Sequence, residues 1–219
     1  MTVVTGAVCW SGGSVTARVY AESDTTVLLA HGAGTNQDHR LMVGLAGALA
    51  ETGLGVITFN YPYTELGRKA PDRAPVLLDC HRAVATWAGE RTQRLFLAGR
   101  SMGGRMATML AADGLAMAGV IAYAYPLHPA GKPDQLRIEH LPRMAVPSLF
   151  FQGDRDTLAR SDLFDGYVRP LTGVEVVDLV GADHSWRMKG RTEAQLLAEV
   201  ASATEAWIGR LASQGRTRA

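Results

Sequence analysis

Residues 95–112 read Leu-Phe-Leu-Ala-Gly-Arg-Ser-Met-Gly-Gly-Arg-Met-Ala-Thr-Met-Leu-Ala-Ala. An apolar run, LFLA (95–98), passes through Gly99-Arg100-Ser101-Met102-Gly103-Gly104 into RMATMLAA, whose apolar residues recur at helical spacing. The pattern predicts a buried strand, a tight turn and a helix. On such a turn the Ser101 hydroxyl projects above the sheet, and glycines on either side leave room for the backbone to pass. The helix starting at Met102 adds free N–H groups and the positive end of its dipole, which favours developing negative charge at the same point. An ordinary glycine-rich strand-to-helix turn is the competing reading of five residues. The strand and helix flanks favour a nucleophile.

Working outward, the same alternation recurs. Val15, Ala17 and Val19 alternate with Thr16, Arg18 and Tyr20, as a strand with one wet face does. TVLLA (26–30), VITFN (56–60), LFLAG (95–99), VIAYA (120–124), SLFFQ (148–152) and VEVVDL (174–179) lack that alternation. Near-continuous apolar strands belong to a parallel sheet covered on both faces. Between them lie helical faces: Leu41, Met42, Leu45 and Leu49 after Asp38, then Leu77, Cys80, Val84 and Trp87, entered through Asp72 and Pro75. A last helix begins at Thr192, with Gln195 completing a capping box, and aligns Leu196, Val200, Trp207 and Leu211. The expectation is one α/β domain over residues 1–212, with a mostly parallel sheet of about eight strands and a frayed tail over 213–219. Ligands then sit at the carboxyl ends of the strands.

Composition narrows the function. With 22 basic against 21 acidic residues the 219-residue chain carries a net charge of +1, so no global field favours nucleic acid. Cys9 and Cys80 form no disulfide framework or zinc pattern, and the N-terminus has no basic region of signal-peptide type. No apolar run approaches the roughly 20 residues of a membrane helix. These features give the expectation of a cytoplasmic protein without membrane contact. The scattered His39, His81, His128 and His140 suggest no metal site, no dinucleotide or phosphate loop is visible, and no cofactor is expected.

A serine nucleophile needs a base, an orienting acid and an oxyanion hole. His184, in Gly181-Ala182-Asp183-His184-Ser185-Trp186, follows the last apolar strand and precedes the final helix. The acid comes from Gly153-Asp154-Arg155-Asp156 after SLFFQ: Asp156 is preferred, with Asp154 as a turn former and the alternative. His31-Gly32-Ala33-Gly34-Thr35-Asn36 supplies small residues whose N–H groups face an oxyanion. Ala33, helped by Gly34, and Met102 are the expected donors. His31 is expected to hold that loop rather than react.

The whole set, HGAG, GRSMGG, GDRD and GADHSW, resembles the small α/β-hydrolases. NYPYTELGRKAPDRAP (60–75) and YPLHPAGKP (125–133) resemble a dienelactone-hydrolase-like branch of predicted serine hydrolases, some of whose animal relatives are subunits of a histone-acetyltransferase complex. The resemblance implies the α/β-hydrolase fold and a Ser–acid–His triad in that chain order. Dienelactone hydrolases proper carry cysteine at the turn, whereas this chain has Ser101, which argues against dienelactone as substrate. The implied reaction is hydrolysis of a small or medium ester, thioester or related acyl compound. Acyl transfer or perhydrolysis by the same triad, and a binding or scaffold protein that keeps the fold, are the alternatives.

The 127–146 connection, with Pro129, Pro133 and Pro142, has room for a loop and one short helix but no cap. An open pocket is expected, with Gly34, Tyr63, Met102, Leu127, His128 and Trp186 as candidate lining. Arg100 and Arg105 flank the nucleophile. Ion pairs with protein carboxylates are their expected role, and recognition of a substrate carboxylate is the alternative.

Overall fold

The computed structural model describes residues 3–216. Eight strands form one sheet: β1 (Val4–Trp10), β2 (Gly13–Ala21), β3 (Thr25–Ala30), β4 (Gly55–Phe59), β5 (Arg94–Arg100), β6 (Gly119–Tyr123), β7 (Ser148–Gly153) and β8 (Val174–Leu179). Their spatial order is β1-β2-β4-β3-β5-β6-β7-β8. The pairs β1–β2 and β2–β4 are antiparallel and all later pairs parallel.

The apolar runs from TVLLA to SLFFQ are strands β3 to β7 because helices bury both of their faces, whereas VEVVDL forms the edge strand β8 and buries only Leu179. On one face Val27, Leu29, Phe96 and Phe151 pack against Leu41, Leu45 and Leu49 of α1 (Arg40–Glu51) and Leu196, Val200 and Trp207 of α6 (Glu193–Arg216). Leu28, Ala30 and Leu97 point the other way, onto Leu77, Cys80 and Val84 of α3 (Ala74–Gly89) and Met106 and Leu110 of α4 (Met102–Ala112). Consecutive residues of β3 thus feed opposite cores, which leaves no place for a polar side chain in its middle. Two short helices, α2 (Pro62–Glu65) and α5 (Ser161–Tyr167), complete the set.

Three details differ from the sequence expectation. Strand β1 adds an antiparallel edge, although Val8 is its only buried residue. Helix α3 is entered through Arg73, while Asp72 pairs with Arg68 instead. Helix α6 has the expected capping box, with Gln195 N–H donating to Thr192 Oγ1 at 3.2 Å and Thr192 N–H to Gln195 Oε1 at 2.9 Å. It runs to Arg216, past the 212 boundary expected for the folded part; residues 217–219 of the expected tail lie outside the described residues.

No large cap covers the sheet. Within the 127–146 connection the only helical piece among the described residues is the 3-10 turn Leu141–Arg143. No helix of the described residues is long and apolar enough to cross a membrane.

Candidate active site

Ser101 links β5 to α4 with φ 50° and ψ −114°, a left-handed conformation that a non-glycine residue holds only at a cost of about 1–3 kcal/mol. Close approach of the backbone dictates its neighbours. A Cβ on Gly99 would stand 2.2 Å from the Gly103 carbonyl carbon, and one on Gly103 would stand 2.4 Å from the Ala30 oxygen. The glycines therefore let α4 start directly against β5 and β3. Ser101 N–H donates to Tyr123 O at 2.8 Å, which ties the turn to β6.

His184 lies in the loop between β8 and α6. Asp183 shapes that loop by accepting from the N–H groups of Ser185 (2.8 Å) and Arg187 (2.9 Å) through Oδ1. Trp186 takes a positive φ of 63° and packs its ring edge-on against Tyr123, 5.8 Å between centroids. The imidazole of His184 consequently reaches both ways. Its Nε2 is 3.0 Å from Ser101 Oγ and its Nδ1 is 2.7 Å from Asp156 Oδ2.

Asp156 is 3% exposed and fully engaged. Leu158 N–H donates to its Oδ1 at 2.8 Å, and Gln152 Nε2 to its Oδ2 at 2.9 Å, alongside His184. Asp154 lies apart from this chain of bonds. It is exposed, and its Oδ1 accepts the Gly181 N–H at 2.6 Å, bracing the start of the histidine loop. Gln152 went unremarked in the sequence. Its signal is a lone amide at the end of the apolar run SLFFQ, where a buried polar group needs a partner.

The His31–Thr35 loop lies across the turn, close enough that a Cβ on Gly32 would be 3.6 Å from Ser101 Cβ. The Ala33 N–H donates to no acceptor among the described residues. Met102 N–H is the first of α4, where the helix offers no partner. Ala33, Ser101 and Met102 line one cavity. Gly34 makes the loop's turn with φ +70° but does not line it. His31 is buried beneath, its Nε2 accepting Tyr61 N–H at 3.1 Å and its Nδ1 donating to Gly32 O at 2.9 Å. Burial lowers its pKa to about 4, so it stays neutral as a strut.

The expected pocket lining is largely replaced. Tyr63 and Leu127 are 0% exposed, and His128 2%. Tyr63 O–H bonds to Gly32 O at 3.3 Å from below the loop, and His128 Nε2 accepts Arg160 N–H at 3.2 Å. Their ring and chain surfaces are consumed by packing, so none reaches the cavity. Trp186 borders a separate, more polar depression with Arg100 and Arg187 beyond the histidine loop. The cavity at Ser101, about 300 Å³, is walled instead by Leu77, Met106, Pro126 and Leu158, with Arg105 and Arg137. Among the described residues the ion pairs expected of Arg100 and Arg105 are not formed: Arg100 donates to the His184 main-chain oxygen, and the buried Nε atoms of both arginines have no partner there. Among the described residues no group of three or more His, Cys, Asp or Glu side chains could hold a metal ion.

A mostly parallel sheet with a serine turn after β5, an acid loop after β7 and a histidine loop after β8 defines an α/β-hydrolase. The chain belongs to the alpha/beta hydrolase domain family, which matches residues 23–209. Solved structures agree in fold. A serine hydrolase homologue from Coxiella burnetii has 24% identity and TM-score 0.69, with 84% of this chain and 90% of that chain covered. A serine hydrolase without a lid from Xanthomonas campestris has 23% identity and TM-score 0.74, with 94% and 95% covered. Est1E from Butyrivibrio proteoclasticus has 14% identity and TM-score 0.75, with 95% and 99% covered.

Proposed function

We propose that the protein is a serine hydrolase that cleaves a small or medium ester or thioester through an acyl-enzyme on Ser101. The observation that carries this reading is the unbroken chain Ser101 Oγ–His184 Nε2, 3.0 Å, and His184 Nδ1–Asp156 Oδ2, 2.7 Å, beside two N–H groups free to bind an oxyanion. Ser101 Oγ attacks the substrate carbonyl as His184 Nε2 takes its proton. Asp156 holds the proton on Nδ1 and stabilises the imidazolium. The N–H groups of Ala33 and Met102 face the tetrahedral oxygen, a contribution of about 3–4 kcal/mol per donor in such sites. His184 then protonates the leaving group. Water, deprotonated in turn by His184, releases the acid from Ser101. Every proton in this cycle is carried by side chains already in contact, and the proposed partner is a small-molecule acyl substrate.

The open, lidless cavity favours substrates of modest size over long acyl chains. Fluorophosphonate labelling tests the assignment. Wild-type protein is expected to label stoichiometrically and Ser101→Ala not at all, with turnover across an ester and thioester panel lost in the same variant. Labelling that is absent, or that survives Ser101→Ala, overturns the reading. It would leave a binding protein on the same fold.

A further inference from the structure

We propose, resting on the acyl-enzyme reading, that the acyl half of the substrate carries a carboxylate bound in the Ser101 cavity by Arg105 and Arg137. Arg105 stands one helical turn beyond the nucleophile, its N–H donating to Ser101 O at 3.0 Å, so its side chain rises from the same face of α4. It lines the cavity, and its buried Nε has no hydrogen-bond partner among the described residues. Arg137 enters from the 127–146 connection. Its backbone is fixed at both polar groups, N–H to Leu127 O at 2.8 Å and O from Tyr125 O–H at 2.6 Å.

Neither arginine has a carboxylate partner among the described residues, whereas Arg18, Arg68, Arg160 and Arg169 all do. Two like charges therefore face one cavity. Burial, and then the neighbouring Arg105, lower Arg137 from the ordinary guanidinium value. The one acidic lining residue, Asp72, is paired with Arg68 through Oδ1 at 2.6 Å, and its buried Oδ2 has no hydrogen-bond partner among the described residues, so neither arginine is bonded to it. A carboxylate supplies the missing countercharge and can take both oxygens to guanidinium forks. The apolar wall of Leu77, Met106 and Leu158 suits the methylenes between that carboxylate and the reacting carbonyl.

Geometry assigns the charge to the acyl side. The leaving group must lie within reach of His184 Nε2, toward the histidine loop. Residues 180–187 contribute nothing to the lining of the Ser101 cavity, and Ser185, Trp186 and Arg187 instead border the separate depression with Arg100. The substrate class is thus a half-ester or half-thioester of a short dicarboxylic acid.

The test compares monoethyl glutarate and monoethyl adipate with ethyl pentanoate, following ethanol release. Alkyl esters avoid the self-cleavage that a neighbouring carboxylate causes in activated aryl esters. Wild-type kcat/KM is expected to favour one half-ester by tenfold or more, and Arg105→Gln and Arg137→Gln each to reduce that ratio at least tenfold, chiefly through KM. A wild-type preference for the neutral ester, or a ratio unchanged in both variants, overturns the proposal. Should either variant fail to fold, calorimetry on Ser101→Ala decides: tighter binding of monoethyl glutarate than of ethyl pentanoate supports it, and equal binding overturns it. A fluorophosphonate-reactive protein without anion preference removes this proposal alone. An unreactive one removes the hydrolase reading itself.

Discussion

Arg100, the residue before Ser101, donates from its guanidinium to the main-chain oxygen of His184. The contact ties the Ser101 turn directly to the His184 loop. Burial lowers Arg100 from the ordinary guanidinium value, while Asp156 and Asp183 act in the opposite direction. A buried charge held without an ion pair is expensive, and its use here is positional. Replacing it by Met keeps the apolar stem and removes the donor. Arg100→Met is expected to reduce kcat by about 10–100-fold with KM little changed, the cost of a small misplacement between nucleophile and base. Steady-state kinetics with a neutral ester measure it. A kcat within twofold of wild type would mean that the link positions nothing.

The two aspartates after β7 have different surroundings and predict different losses. Asp156 accepts three hydrogen bonds, from His184, Gln152 and Leu158. Asp156→Asn presents an amide donor to the imidazole and favours the wrong tautomer, so kcat is expected to fall by about 10⁴. Asp154→Asn keeps an oxygen for Gly181 N–H and is expected to leave kcat within about threefold. Turnover numbers for the two variants, taken with the protein's thermal midpoint, test the assignment. The opposite ranking would move the acid role to Asp154.

What the sequence made legible follows from how each feature is encoded. Strands β3 to β7 are written as apolar runs because both of their faces are buried, and that pattern is local. Strand β1 is not, because Val4 is 62% exposed and the strand only extends the sheet edge. Its existence depends on pairing with β2 across the Ser11–Gly12 turn. Ser101 and His184 stand out because each occupies a loop after an apolar strand. Asp154 and Asp156 are two residues apart, and only the direction of each side chain separates them. The cavity wall was the least legible part. Leu77, Met106 and Arg137 come from two helices and a connection that meet only in three dimensions, whereas Tyr63 and Leu127, equally plausible in sequence, are used up in packing.

Three buried histidines other than His184 are expected to make stability pH-dependent. Burial lowers the pKa of His31 to about 4 and of His81 to about 3, and burial followed by Arg105 lowers His140 to about 4, against an ordinary imidazole value of 6.5. The folded state therefore binds fewer protons than the unfolded chain. Their stabilisation is complete above pH 6.5 and is lost as pH falls toward 4, and further toward 3 for His81. Between pH 7 and 5 each is worth about 2 kcal/mol by linkage. His81 is 0% exposed, its Nδ1 3.0 Å from Tyr61 O–H and its Nε2 unpartnered. His81→Gln is expected to be less stable at pH 7 yet to lose about 2 kcal/mol less than wild type on going to pH 5. Urea unfolding at the two pH values measures the difference. Parallel losses in both proteins would mean that His81 takes up its proton as readily in the folded state as in the unfolded chain.

Glycines Gly103 and Gly47 separate close approach from mere flexibility. A Cβ on Gly103 would meet Ala30 O at 2.4 Å and His31 O at 2.8 Å, both backbone atoms that cannot rotate away. Gly103→Ala must therefore push α4 from β3 and displace the His31–Ala33 loop, which holds the proposed oxyanion donor Ala33. The expected cost is about 3 kcal/mol or more, with fluorophosphonate reactivity lost even in the fraction that folds. Gly47, inside α1, has nothing within 4 Å of its built Cβ. There alanine removes backbone freedom from the unfolded chain without a clash, and Gly47→Ala is expected to gain about 0.5–1 kcal/mol. Chemical denaturation of the two variants beside wild type gives both signs in one experiment. A Gly103→Ala protein as stable and as reactive as wild type would show that α4 can retreat from β3 without disturbing Ser101, against the tight seating that the Ala30 contact requires.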